Sequence, residues 1–226
     1  MAGSARLHGV RAVLFDLDGT LIDSAPDLAL AGNALRHTRG LGPIDLTVYR
    51  PHAGAGASGV LRVALEATPE HPGYDALRDE FLVAYQHHLL SQTTYLTDVP
   101  RLLTGLNDRG MAWGIVTNKA RRFTQPTVEA FTDLQAAATV ISGDSTPYTK
   151  PHPGPVLAAL QSAGLSAEST LYVGDDERDI QAGRAAGVRT VAAAYGYLGP
   201  AADPLAWGAD AVIHSPLQLL NLLDPA

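Results

Sequence analysis

Cysteine is absent from this chain and lysine nearly so: the sixteen basic residues are fourteen Arg and two Lys, Lys119 and Lys150. The first absence excludes a disulfide framework, thiolate metal sites and a cysteine nucleophile together, so catalysis has to use oxygen or nitrogen. Long hydrophobic runs are missing too. No stretch approaches the roughly 20 apolar residues of a membrane span. The apolar run within Met1 to Val13 is too short, and meets Asp16 too soon, for a signal peptide, so the expected setting is the cytoplasm with no membrane partner. Positive charge is scarce as well, and a net charge of −7 argues against a protein that tracks nucleic-acid backbone. An anionic ligand must therefore be drawn in by a local positive site. Where Arg serves nearly everywhere else, a retained Lys suggests a position that needs a compact point charge in place of a planar fork. For Lys119 that reading and chance retention balance; the setting of Lys150 favours the functional one.

What is present is a core. At 226 residues and 46% apolar content the chain is long enough for one large domain or two small ones. Its organising stretch is Val13-Leu14-Phe15-Asp16-Leu17-Asp18-Gly19-Thr20-Leu21, an apolar run that ends in two carboxylates and a turn. Such a run reads as a buried β-strand, and Gly19 beyond it delivers the polar groups at the strand's carboxyl end. Residues two apart in extended backbone share a side, so Asp16 and Asp18 can enter one small volume. Two carboxylates that close require a cation, a proton or several N–H donors as compensation.

After Thr20 the pattern turns helical. Ser24 is placed as an N-cap with Asp27 in the first turn, and Gly40-Leu41-Gly42-Pro43 stops that helix. Arg50-Pro51-His52-Ala53-Gly54-Ala55-Gly56 forms a glycine-rich loop, followed by helices over Val60 to Ala67 and Tyr74 to about Leu90. Nothing between Ser24 and Gln92 reads as a strand. From Thr97 onward short apolar strands at Ala112 to Val116, Ala138 to Ile141, Leu171 to Val173, Thr190 to Ala193 and, more weakly, Ala211 to Ile213 alternate with helical segments. That alternation predicts an α/β fold, a Rossmann-like parallel sheet of five or six strands with helices on both faces. Residues 1–20 and 93–226 would form the core, and 21–92 a small all-helical cap inserted after the first strand and sitting above the strand ends as a lid.

Each strand is followed by polar residues that the topology gathers on one edge: Asp16 and Asp18, then Thr117 and Asn118, then Lys150, then Asp175 and Asp179. Asp16, Asp175 and a backbone carbonyl make an oxygen-only site with few protein ligands, which suits Mg²⁺. A hydroxyl, an ammonium and turn N–H groups suit phosphate oxygens.

Asp16-Leu17-Asp18-Gly19-Thr20, Thr117-Asn118, Lys150-Pro151 and Gly174-Asp175 with Asp179 resemble, in order, the four motifs of the haloacid dehalogenase superfamily. The resemblance spans almost the whole chain. It is nearest to the phosphoglycolate phosphatase group, and Trp113-Gly114-Ile115-Val116-Thr117-Asn118-Lys119 with Tyr195-Gly196-Tyr197 is also similar to bacterial N-acetylmuramic acid 6-phosphate phosphatases. The resemblance implies that Asp16 is the nucleophile and Asp18 the general acid and base. It implies that the Asp16 side chain, the Asp18 carbonyl and Asp175 hold Mg²⁺, with Asp179, Gly19 and Thr20 in support. Lys150, Thr117 and Asn118 would hold the phosphoryl oxygens, and Arg50 and His52 would reach the substrate from the cap. The expected substrate is a small phosphorylated metabolite, with 2-phosphoglycolate first, and the expected state a monomer or homodimer. Asp18 argues against the dehalogenase branch, whose motif lacks it; a phosphomutase and a catalytically idle phospho-ligand binding protein stay open.

Overall fold

The computed structural model describes residues 6–224; Met1 to Ala5, the start of the segment considered above as a signal peptide, lie outside it. In chain order the elements are β1 (Ala12–Phe15), β2 (Ile22–Asp23), α1 (Ala25–His37), α2 (Leu46–Tyr49), a 3-10 turn at Arg50–Ala55, α3 (Gly56–Leu65), α4 (Tyr74–His88), β3 (Thr94–Tyr95), α5 (Val99–Asp108), β4 (Ala112–Val116), α6 (Arg121–Ala130), β5 (Val140–Ile141), α7 (Gly154–Ala163), β6 (Thr170–Gly174), α8 (Glu177–Ala185), β7 (Arg189–Ala193), β8 (Ala211–Ile213) and α9 (Gln218–Leu222). No described helix is long and apolar enough to cross a membrane.

Six strands form one sheet in the order β5-β4-β1-β6-β7-β8, every neighbouring pair parallel. The chain winds outward from β1 through β4 and β5, then crosses back to begin the other half at β6. Between β1 and β6 the winding direction reverses, and such a switch point opens a crevice beyond the strands' carboxyl ends. β1 is apolar throughout and β6 mostly so, and both are buried because helices cover both faces of the sheet. Phe15, Trp113, Leu171 and Val191 join the cluster on one face, and Leu14, Val116 and Tyr172 the other.

Between β1 and β4 the chain makes its excursion. Helices α1, α3 and α4 carry their own apolar cluster, which includes Leu28, Leu35, Tyr49, Val60, Leu61, Phe81 and Tyr85 and also reaches Phe123 and Tyr197 of the core. The two passages into and out of this region pair as an antiparallel ribbon, Ile22 opposite Tyr95 and Asp23 opposite Thr94. Such two-residue strands give no periodic signal, and the ribbon went unforeseen.

Several boundaries differ from expectation. Of the strand expected over Ala138 to Ile141, only Val140–Ile141 is regular strand, although the Ala138 N–H and the Thr139 carbonyl also hydrogen-bond to β4 at 2.8 and 2.9 Å. The helix expected from Val60 begins at Gly56, and the glycine-rich loop before it winds as a 3-10 turn. Ser24 occupies the N-cap of α1, yet its side chain does not cap the helix; its hydroxyl donates to Asp18 Oδ1 at 2.5 Å. The capping is done by the Tyr197 hydroxyl, which accepts from the Ser24 and Ala25 N–H groups at 2.7 and 3.0 Å.

One buried carboxylate fixes the start of α1 to the far end of the excursion. Asp27, fully buried, accepts from the Gln92 N–H at 2.7 Å and the Thr93 hydroxyl at 2.5 Å. Asp27→Ala removes both hydrogen bonds of a buried carboxylate, and we expect a loss of about 1–3 kcal/mol in unfolding free energy, read from the urea midpoint at unchanged slope.

Candidate active site

Asp16 follows β1 directly and keeps its strand pairing, its N–H donating to the Val173 carbonyl at 2.9 Å. Asp175 follows β6 across the same crevice. Gly19 lies between them at φ +87°, and a Cβ there would meet Asp175 Oδ2 at 2.2 Å, so the turn that brings the two loops together admits only glycine. Asp179 enters from the first turn of α8, where its Oδ2 accepts from the Asp176 N–H at 3.1 Å as half of a capping box. Carboxylate oxygens of Asp16, Asp175 and Asp179 all lie within 4.8 Å of one another.

Lys150 is the counter-charge. Its ammonium stands 2.8 Å from Asp16 Oδ1 and 2.7 Å from Asp179 Oδ1 and donates to the Val116 carbonyl at 3.1 Å, which uses all three protons. Asn118 holds it in place: its amide donates to the Lys150 carbonyl at 3.1 Å and its Oδ1 accepts from the Lys150 N–H at 2.9 Å. Burial works against the ammonium, but Asp16 and Asp179 outweigh it and hold the proton more tightly than on an ordinary lysine. Burial drives the Asp16 carboxyl up to about 7, with Lys150 opposing and the Asp179 charge adding to it. Burial, Asp16 and Asp179 likewise push Asp175 well up, although the Tyr197 N–H at 2.7 Å and the Thr20 hydroxyl at 2.9 Å both donate to it.

Three buried carboxylates facing one ammonium leave a surplus of two negative charges when all are ionised. The donors are oxygens and there is no thiolate in the chain. The site therefore fits a hard divalent cation. Asp16 and Asp175 are grouped as the sequence suggested. Asp179, expected only in support, is equally close, whereas the Asp18 side chain turns away from the cluster.

Asp18 belongs instead to a second pair. Lys119 Nζ donates to Asp18 Oδ1 at 2.9 Å and to Oδ2 at 3.3 Å, and reaches the Tyr85 hydroxyl on α4 at 2.6 Å. Burial lowers the proton affinity of Lys119, but Asp18 and Tyr85 reverse that and raise it. Sequence reasoning left Lys119 undecided; the near-absence of lysine was the available signal. Both lysines of the chain turn out to neutralise carboxylates delivered by β1 and its following turn.

A cleft of about 340 Å³ opens over these groups. Asp16, Asp18, Thr117, Asn118, Lys119 and Lys150 form its floor, and residues 53–58 with the α4 face bearing Phe81 and Tyr85 form its walls. Thr117 keeps its hydroxyl local, accepting from the Lys119 N–H at 3.1 Å. The two cap residues expected to meet substrate are not on this cleft. Arg50 is drawn to Asp23 at 2.8 Å and lies over the Tyr197 ring, and His52 borders a separate hollow behind the 3-10 turn. The winding of that turn is the reason: it presents Ala53, Gly54 and Ala55 to the cleft and directs Arg50 and His52 elsewhere. Arg178 closes the seam, paired with Asp176 and donating to the Gly54 carbonyl at 2.8 Å.

The sheet order, the aspartate at the end of its first strand and the excursion above it define a doubly wound α/β hydrolase with a helical cover. The chain belongs to the haloacid dehalogenase-like hydrolase family, whose pattern matches residues 13–193. It is 44% identical over 209 residues to a phosphoglycolate phosphatase of Xanthomonas campestris pv. campestris, covering 92% of this chain and 94% of the relative. It is 37% identical over 217 residues to an N-acetylmuramic acid 6-phosphate phosphatase of Pseudomonas aeruginosa, covering 96% of each. Its fold matches the crystal structure of a predicted phosphoglycolate phosphatase from Haemophilus somnus with a TM-score of 0.82 at 27% identity, over 95% of this chain and 98% of the other.

Removing Lys150 leaves Asp16 and Asp179 without their buried partner. Lys150→Ala is expected to cost about 3–5 kcal/mol of unfolding free energy in metal-free buffer, measured by urea denaturation, with part of the loss regained on adding a divalent cation.

Proposed function

We propose that this chain is a Mg²⁺-dependent phosphatase that hydrolyses a small phosphate monoester through an aspartyl-phosphate. The observation that carries the reading is the position of Asp16: a carboxylate at the switch point, against Lys150, at the floor of a cleft, and grouped with two further buried carboxylates. Asp16, Asp175 and the Asp18 carbonyl, with Asp179 beside them, are the groups that would hold the cation. When bound, the cation supplies positive charge that lets a carboxylate approach a phosphoryl dianion.

The Asp16 carboxylate oxygen attacks phosphorus, the bond to the ester oxygen breaks, and the phosphoryl group resides on Asp16. Asp18 gives the departing oxygen its proton and later takes one from the water that attacks the phospho-enzyme, releasing inorganic phosphate and restoring Asp16. Lys119 donates to both Asp18 oxygens and holds that carboxylate at the cleft floor. Lys150 and the Thr117 loop hold phosphoryl oxygens as charge spreads over them. This chemistry gives the retained acid pair a use that a binding-only protein lacks. We take the enzyme to work in the cytoplasm, as a monomer or homodimer.

The named relatives divide between two substrates, and both compounds carry a carboxylate besides the phosphate. The 44% identity favours 2-phosphoglycolate. The 340 Å³ cleft favours the larger N-acetylmuramic acid 6-phosphate, because glycolate would leave most of it empty. Phosphate release from the two compounds, assayed side by side, decides between them.

Purified protein is expected to release phosphate from 4-nitrophenyl phosphate with Mg²⁺ and to stop when EDTA is added. Asp16→Asn is expected to lower turnover at least ~10³-fold by removing the attacking group. Asp18→Asn is expected to slow turnover and accumulate phospho-enzyme, visible as a mass increase of one phosphoryl group. Normal turnover in Asp16→Asn would refute the mechanism.

A further inference from the structure

The cleft is longer than the chemistry at its floor requires, and its outer end is built differently. Tyr74, Arg78, Phe81, Leu82 and Tyr85 all line it from α4, at the spacing of one helix face. Tyr85 marks the inner end, where its hydroxyl meets Lys119 beside Asp18. A helix rises ~1.5 Å per residue, so Arg78 leaves α4 about 10 Å further out along the cleft, and its side chain leans further outward still, toward the helix N-terminus.

The core side supplies a second cation to the same cleft. Arg122, in the first turn of α6, lines the same cleft, with its guanidinium 4.7 Å from the centre of the Phe123 ring. Phe123 packs edge-on against Tyr85 at 5.0 Å, which joins the α4 wall to the α6 wall. Among the described residues neither Arg78 nor Arg122 has a carboxylate within 4 Å or donates a hydrogen bond, unlike Arg39, Arg50, Arg101 and Arg178. Opposite them the wall is Ala53, Gly54, Ala55, Gly56, Ala57 and Ser58, whose short side chains leave room for bulk. The cleft is thus polarised: carboxylates at the floor, apolar and small residues along its length, and two guanidinium groups without carboxylate partners on its α4 and α6 walls.

We infer that Arg78 and Arg122 form an anion-reading subsite that makes the enzyme select phosphate monoesters whose leaving group is sugar-sized and carries a distant carboxylate. The inference rests on the phosphatase reading above and assigns it a substrate class. In glycolate the carboxyl carbon is three bonds from phosphorus, too near to reach a group about 10 Å up α4. A hexose phosphate with an acidic substituent across the ring spans that length, and guanidinium groups on the α4 and α6 walls offer a carboxylate planar, paired donors that a lysine would not supply.

The test compares N-acetylmuramic acid 6-phosphate with N-acetylglucosamine 6-phosphate, which lacks only the lactyl ether and its carboxylate. The ratio of kcat/KM between the two cancels any general change in activity or folding. The native enzyme is expected to prefer the acid by about 10-fold or more, the scale of one charge-assisted hydrogen bond. Arg78→Ala with Arg122→Ala is expected to bring the ratio near one, chiefly through KM, and Arg78→Lys with Arg122→Lys to restore it in part. A native ratio near one, or a ratio that survives the double alanine change, overturns the inference. Release from 4-nitrophenyl phosphate but from neither sugar overturns it while leaving the phosphatase reading standing; no release from the aryl phosphate defeats that reading and this inference together.

Discussion

The structure depends on one ammonium group placed between carboxylates that would otherwise repel each other. Asp16 comes from the end of β1, Asp179 from α8 after β6, and Lys150 from the loop before α7; no two of them are neighbours in sequence, yet all three are buried together. Burying such charges is costly, and the arrangement holds only because every proton of Lys150 finds an oxygen and every carboxylate finds a donor. The charge still left over is what a bound cation would offset, and on the proposed reading that cation, not the carboxylates, draws a phosphoryl group to Asp16.

The second ion pair separates the roles of the two acids on one turn. Asp16 and Asp18 are two residues apart, and simple alternation along an extended strand would send them to one point. The chain turns at Gly19, so Asp16 stays with the buried cluster while Asp18 is held toward the cap by Ser24 and Lys119. Two like charges are kept from sharing one counter-ion, and their environments differ accordingly.

Most of the core was legible in advance. Buried parallel strands are written as apolar runs, and each one here is followed by a change to polar residues, so both the sheet and its functional edge could be read from Val13 to Asp18 and from Leu171 to Asp175. The winding order, which places Asp16 beside Asp175, follows from connection rules that the residues need not spell out. What escaped notice depends on contacts between segments. The β2–β3 ribbon is too short to have a period. Tyr197 caps α1 from more than 170 residues away, so Ser24 was credited with work it does not do. Arg50 and His52 were natural candidates by type, but the direction a side chain takes from a 3-10 turn is set by winding that a glycine-rich sequence does not specify. Arg78, on a helix face whose other members are aromatic or aliphatic, reads as an ordinary surface residue until α6 is folded opposite it.

The bond from Arg178 to the carbonyl of residue 54 has an implication for how such enzymes diversify. Its acceptor is main chain, common to all amino acids, and a Cβ at that position would rest at an ordinary 3.7 Å from Asp176. The contact between the two parts of the molecule is therefore indifferent to what side chain residue 54 carries. A lineage can rewrite that wall to admit a new compound while the fastening remains, so altered selectivity need not loosen the cap from the core.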